Sequence, residues 1–364
     1  MKAKEIINIL ESWAPLSFQE NYDNSGLILG DPETEIKGLM ISLDATLAVI
    51  AEAVNNQCNM IISHHPLIFK GIKNITPEQH SYAVIKNALD QNVLIYALHT
   101  NLDNHGEGLN HYLGTKLGLK DIRVLSPKRD LLNKLVTFCP VDYAEKVRDA
   151  LFKSGAGHIG NYDCCSFNVS GHGTFRASEK ATPFVGKKNS FHTEKEIRME
   201  VIFPSYIETQ IIRTLMEVHP YEEVAYDIYR LANAYPKAGA GIIGMLPTKV
   251  DEMELLSRIK KIIKIPVVRH SIIHARQVIH VALCSGAGAM LLPDVISSGG
   301  EVFLTSDLKY HEFQSCPNSL LLVDIGHYES ECWMRELVRD FLIKKIPNFA
   351  VLISASEINP VNYL

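Results

Sequence analysis

No run of apolar residues in this chain approaches the ~20 needed to cross a bilayer, which excludes a membrane-spanning helix. A basic surplus is missing too: Lys and Arg number 36 against 41 Asp and Glu, a formal net charge of −5. Proteins that depend on phosphate contacts normally carry the opposite balance, so nucleic acid is not an expected partner. Cysteine is scarce, with seven residues, an odd number, mostly scattered and without any Cys-x-x-Cys. Cys164 and Cys165 are adjacent, a poor arrangement for pairing with each other. Reduced thiols in a cytoplasmic protein are the simplest reading. An apolar signal core is also lacking, because Met1-Lys2-Ala3-Lys4-Glu5 runs into an amphipathic stretch. Low-complexity segments and short-period repeats are absent.

What is present is an ordinary globular composition, 46% hydrophobic and 21% charged over 364 residues. That is enough for about two or three domains with a sizeable core. From residue 1 to about 125, helical and strand patterns alternate. Ile6, Ile7, Leu10 and Trp13 recur at helical spacing. Apolar strands are expected at Leu39–Leu43, Met60–Ile62 and Val93–Leu98, with helices at 47–55 and 81–91. This order indicates βαβ units and a parallel sheet. The middle differs: strand–helix–strand at 134–169, a polar turn-rich stretch at 170–195, then strand–helix–strand at 197–231. Two such halves predict a ferredoxin-like α+β domain. After Gly241 the first pattern resumes, with a helix at 252–263 and another over 328–345. The expected architecture is therefore an α/β domain split in sequence, 1–127 and 236–364, with a ferredoxin-like α+β domain inserted at 128–235.

In a parallel α/β sheet, functional groups gather beyond the carboxyl ends of the strands. Three of these ends carry metal-ligand residue types: His64-His65-Pro66 after Met60–Ile62, Asp103 after Val93–Leu98, and Gly326-His327-Tyr328-Glu329-Ser330-Glu331 after Leu321–Ile325. Adjacent residues leaving a strand point in roughly opposite directions, so neighbouring imidazoles suit two neighbouring metals better than one. With a helix starting near His327, Glu331 lies one turn on and shares its face, and its two oxygens allow it to bridge two ions. A lone strand-end histidine is more often a hydrogen-bonded surface residue, and the helix dipole favours a glutamate in a first turn. The case rests on three clusters at three strand ends.

Weaker signals accompany these. Gly155-Ala156-Gly157-His158-Ile159-Gly160 matches a dinucleotide fingerprint as a bare string but follows a helix, so a helix C-cap and turn is the better account. Gly286-Ala287-Gly288 follows a strand, and a tight βα turn accounts for it better than an anion cradle. In Thr305-Ser306-Asp307-Leu308-Lys309-Tyr310-His311, Asp307, Lys309 and His311 are capable of substrate contact or proton transfer, or of a capped helix start. His99 could orient a ligand or satisfy a loop carbonyl.

At these residues the chain resembles the NIF-three-like family, also called GTP cyclohydrolase 1 type 2 homologues. The resemblance rests on Ile61-Ile62-Ser63-His64-His65-Pro66, His99-Thr100-Asn101-Leu102-Asp103, the Thr305–His311 and Gly326–Glu331 segments, and the opening Asn21-Tyr22-Asp23-Asn24-Ser25-Gly26-Leu27. The middle stretch, with Gly155-Ala156-Gly157 and His219-Pro220-Tyr221-Glu222-Glu223, resembles the PII-like insertion of longer members. The resemblance implies a dinuclear divalent-metal site, with His65 and Asp103 on one ion, His64 and His327 on the other, and Glu331 bridging. It implies a toroidal homohexamer with sites facing an internal cavity. Imidazole and carboxylate ligands suit zinc, iron, manganese or nickel. The expected activity is metal-assisted hydrolysis of a small-molecule substrate, a purine nucleotide by the family name, with His99 or His311 relaying protons. The alternative is a non-enzymatic metal-binding or regulatory protein whose inserted domain senses a ligand.

Overall fold

The computed structural model describes residues 1–364, apart from the side chain of His80. It divides into two compact units, Met1–Pro127 with Pro236–Leu364, and Lys128–Tyr235. All seven cysteines are free, and among the described residues no helix is long and apolar enough to cross a membrane.

The first unit holds two sheets. In one, the strands run Gly26–Leu29, Leu94–Ala97, Met60–Ser63, Leu39–Ser42 and Val351–Ile353 in spatial order, all parallel to their neighbours except the first. Met60–Ser63 is buried along its whole length, as a parallel strand covered on both faces must be. The period of two sorts its side chains. Ile41, Ile62 and Tyr96 pack with Ile6, Leu10, Met334 and Leu342 on one face, while Met40, Ile61 and Ile95 pack with Val49, Ile50 and Val84 on the other. The register pairs Ser42 with Ser63 and Ser63 with Ala97. Three strands therefore end side by side, and the residues after them, Asp44, His64 and His99, leave from one edge.

The second sheet runs Arg269–His270, Leu321–Asp324, Val302–Thr305, Gln277–Leu283, Tyr235–Asp251 and Lys120–Lys128. Its three central strands, Gln277–Leu283, Val302–Thr305 and Leu321–Asp324, are parallel, with Thr305 beside Asp324 and Leu283 beside Leu304. Here too the carboxyl ends align, and Gly286, Asp307 and His327 follow them. The parallel sheet expected from the strand order is thus two sheets, each with short central strands, and the late strand Val351–Ile353 completes the first one.

The second unit has strands Ser166–Arg176, Phe191–Pro204, Leu132–Pro140 and Tyr226–Leu231, in that spatial order and all antiparallel. Helices Ala144–Lys153 and Glu208–Val218 contribute Val147, Leu151, Ile211 and Leu215 to a core with Leu135, Met199, Val201 and Phe203. The stretch expected to be turn-rich is largely a hairpin, paired as far as Arg176 with Phe191. Most side chains from Ser166 to Arg176 are exposed, and past Val169 the residues Ser170 to Thr174 carry no apolar alternation to mark a strand. The single helix expected over 328–345 is broken into His327–Glu331 and Met334–Lys345.

Candidate metal centre

The two imidazoles that follow Met60–Ser63 part company at once. His64 is wholly buried, and its Nδ1 lies 2.7 Å from the Leu98 carbonyl oxygen. A carbonyl only accepts, so Nδ1 carries the proton and Nε2 presents a lone pair. That Nε2 faces Asp103 Oδ1 at 3.7 Å and Glu331 Oε1 at 3.8 Å. His65 turns the other way. Its Nδ1 meets Asp44 Oδ1 at 2.9 Å, and its Nε2 lies 2.9 Å from Glu331 Oε2 and 3.4 Å from His327 Nε2. His327 repeats the pattern: Nδ1 lies 2.8 Å from Asp307 Oδ2 and Nε2 3.0 Å from Glu331 Oε2. A carboxylate on the far nitrogen fixes the ring and leaves the near nitrogen to a cation.

Three groups of side chains here could hold a metal ion, their ligand atoms all within 4.8 Å of one another: His64 with Asp103 and Glu331, His65 with His327 and Glu331, and His64 with His65 and His99. The pairing differs from the one the resemblance implies. Because His64 and His65 diverge from their strand, Asp103 falls beside His64, and His327 beside His65. Glu331 serves both, one oxygen to each. No hydrogen-bond partner reaches His64 Nε2 or Asp103 Oδ1, although both are buried. Leaving such atoms unsatisfied costs roughly 1–3 kcal/mol each, and a cation between them removes that cost. The donor set fits divalent ions.

The charges agree. Burial, reinforced by the Glu331 carboxylate, holds Asp103 well above the usual carboxylate range. Burial would also raise Glu331, but His64 and the hydrogen bonds from His327 and His65 outweigh it and hold that group well below 4.5. Burial lowers His64, against the pull of the Glu331 carboxylate. A site that raises one carboxylate and two imidazoles is short of positive charge.

Glycine makes the approach of Glu331 possible. Gly286 has φ +63°, and a Cβ there would stand 2.2 Å from Glu331 Oε1. Its amide donates to Ser330 Oγ at 3.0 Å and that of Gly288 to Thr305 Oγ1 at 2.8 Å. The Gly286-Ala287-Gly288 segment is therefore a tight turn with its amides already engaged. Gly286→Ala is expected to lower the melting temperature and eject Glu331 from the cluster, which thermal denaturation and metal analysis would detect together.

His99 lies edge-on to His64 and His65, ring centroids 5.2 Å and 5.5 Å away. Asp23 positions it, with Oδ1 2.7 Å from Nδ1, and Asp23 is itself held by Ser25 Oγ at 2.8 Å and the Thr100 amide at 3.0 Å. His311 does not join them within this chain. It is exposed, and its Nδ1 lies 3.1 Å from Gln314 Oε1 in its own helix. Asp307, four residues earlier, has a left-handed backbone, φ +58°. Asp44 escaped sequence analysis, although it lies just past Leu39–Ser42 and the strand-end rule applies to it equally. A support far along the chain also went unseen. Glu329 Oε1, one residue pair from each ligand of its helix, accepts from Asn359 Nδ2 at 2.8 Å and the Tyr363 hydroxyl at 2.9 Å.

The family model Duf34/NIF3 (NGG1p interacting factor 3) matches residues 1–360. The chain belongs to the DUF34/NIF3 family. Two relatives of this NIF3-family chain carry the name GTP cyclohydrolase 1 type 2 homolog. The one from Halalkalibacterium halodurans is 33% identical over 99% of this chain and 98% of its own length. The one from Bacillus subtilis is 32% identical over 100% and 99%. Among solved structures, a Bacillus cereus protein related to NIF3 is 31% identical, with a TM-score of 0.87 over 100% of this NIF3-family chain and 99% of its own.

Proposed function

We propose that this chain binds two divalent ions, of zinc, iron, manganese or nickel, and uses them to hydrolyse a small molecule. The observation that carries the proposal is the division of Glu331: Oε1 faces His64 and Oε2 faces both His65 and His327. His64 and Asp103 would hold one ion, His65 and His327 the other, with Glu331 between them. Bound there, the ions would polarise a substrate oxygen and acidify water toward neutral pH. Asp44 and Asp307 keep the His65 and His327 lone pairs facing inward, and Asp23 aims His99 at the cluster as the group able to hold or pass a proton. The relatives' name suggests a purine nucleotide, opened at its imidazole ring with release of formate.

The proposal extends to a cytoplasmic homohexamer, and to 128–235 as an inserted PII-like domain. Elemental analysis of untagged protein is expected to find about two metal ions per chain. Metal-loaded protein that leaves GTP unchanged would remove the nucleotide substrate, and protein without stoichiometric metal would remove the hydrolase. A second reading, a metal-binding or regulatory protein without turnover, draws support from a ligand-sized pocket within 128–235, described below. Asp44→Asn and Asp307→Asn should each weaken metal binding by about 10–100-fold while leaving the fold intact, because each frees a ligand ring to rotate. Chelator competition would measure it.

A further inference from the structure

The unit Lys128–Tyr235 contains a pocket of about 750 Å³ whose lining includes Phe138, Val169, Phe175, Phe184, Glu196 and Tyr221. This is the size and character of a small-molecule site. In the midst of these apolar and aromatic groups stands a carboxylate. Glu196 is only 9% exposed, and its Oε1 accepts from the Tyr221 hydroxyl at 2.7 Å. Its other oxygen lies over Gly173, where a Cβ would stand 2.1 Å from Oε2. Any larger residue at 173 would push the carboxylate out. Among the described residues no cation pairs with Glu196 and no second donor reaches it. Arg198 is engaged by Glu200 at 3.0 Å, and Arg176 is exposed at the rim. A carboxylate this buried without a cation is costly unless something arrives to pair with it.

The surroundings are built to hold Glu196 there. His219 lies with Nε2 2.9 Å from the Phe138 carbonyl oxygen, and its Nδ1 accepts from the Tyr221 amide at 3.1 Å. That neutral imidazole locks Tyr221, and Tyr221 locks Glu196. The next residue, Glu222, accepts from the Thr182 amide at 2.7 Å and so ties down the loop carrying Phe184. The His219-Pro220-Tyr221-Glu222-Glu223 segment thus has a local purpose. Phe184 packs edge-on to Tyr143 at 5.3 Å and lies 6.2 Å from Tyr221. Aromatic faces around an unpaired carboxylate recognise organic cations.

We infer that this pocket binds a small organic cation, an ammonium or amidinium group on an apolar body, with Glu196 as its anionic anchor and Phe175, Phe184 and Tyr221 as its walls. The residues lining the site lie wholly within Lys128–Tyr235. The test titrates the full-length chain with phenethylammonium chloride and with phenethyl alcohol, its uncharged counterpart, by calorimetry and ligand-observed NMR. The ammonium probe is expected to saturate at one per chain and to bind at least about tenfold more tightly than the alcohol. It should show magnetisation transfer from the Phe184 and Tyr221 rings. Glu196→Gln should abolish the preference with metal content unchanged. Equal affinity for the two probes, no transfer from those rings, or a preference surviving Glu196→Gln overturns the site. The wild-type measurements decide this even where a variant fails to fold.

Discussion

Glu331→Gln should strip the chain of both ions at once, whereas Asp103→Asn should remove one. The asymmetry follows from the geometry. The imidazole that Asp103 Oδ1 faces is that of His64, at 3.7 Å, while the two Glu331 oxygens reach His64 on one side and His65 and His327 on the other. A carboxamide keeps the shape but exchanges one oxygen for an amino group, which offers no lone pair to a cation. Whichever way the amide settles, one half of the cluster faces N–H donors, and the net charge needed to hold two dications falls by one. Metal content per chain should drop from about two to near zero, and any hydrolytic turnover should fall by at least about 1,000-fold. Elemental analysis of wild type and both variants, prepared in parallel, checks it. Retention of two ions by Glu331→Gln would show that this carboxylate does not bridge.

Metal affinity should climb steeply with pH, and the metal-free protein should respond in the opposite sense. Burial opposes protonation of His65, but its hydrogen bonds to Asp44 and Glu331 prevail and hold it up to about 10. The bond to Glu331, against burial and with help from Asp307, holds His327 up to about 9. Both rings are therefore protonated at neutral pH when no metal is bound, and each must lose a proton to bind one. Below pH ~9 the apparent affinity for that ion should change by as much as about 100-fold per pH unit. Competition with a chelator between about pH 6 and about pH 8 measures the slope. Stability runs the other way. A group whose pKa rises on folding contributes stability that is complete below its unfolded value, 6.5 for histidine, and is lost as pH climbs through the folded value. The metal-free melting temperature should decline between about pH 8 and pH 10, while the loaded protein resists the change. Glu331, held low, contributes stability above 4.5 that is lost on acidification. A metal affinity independent of pH would show that His65 and His327 are not ligands.

The residues that could be read from sequence were those announced by a strand. His64-His65, Asp103 and His327 with Glu331 each follow a buried apolar run, and the side-by-side strand ends bring them together. Asp44 follows a strand as well and was missed, and the other groups missed have partners far along the chain. Asp23 reaches His99 across 76 residues and Asn359 reaches Glu329 across 30, and no local pattern records either contact. His311 misled for a related reason. It stands in the same strand-end segment as Asp307, but Asp307 reaches His327 whereas His311 lies against Gln314 of its own helix. In the fold, Gly26–Leu29 pairs antiparallel at an edge and is only partly buried, unlike the strands that were read. The hairpin through Arg176 and Phe191 shows the converse: main-chain pairing alone sustains a strand whose side chains mostly face water.

The cluster draws four of its donors from before residue 104 and two from beyond residue 326, with the whole Lys128–Tyr235 unit between them in the chain. A ribosome therefore presents His64, His65 and Asp103 long before the histidine and glutamate that complete the cage exist. An ion caught early would be held by an open, exchangeable half-site. Selection of a metal would then be decided only once translation has passed Glu331, and a bound ion would become a clasp joining the two sheets.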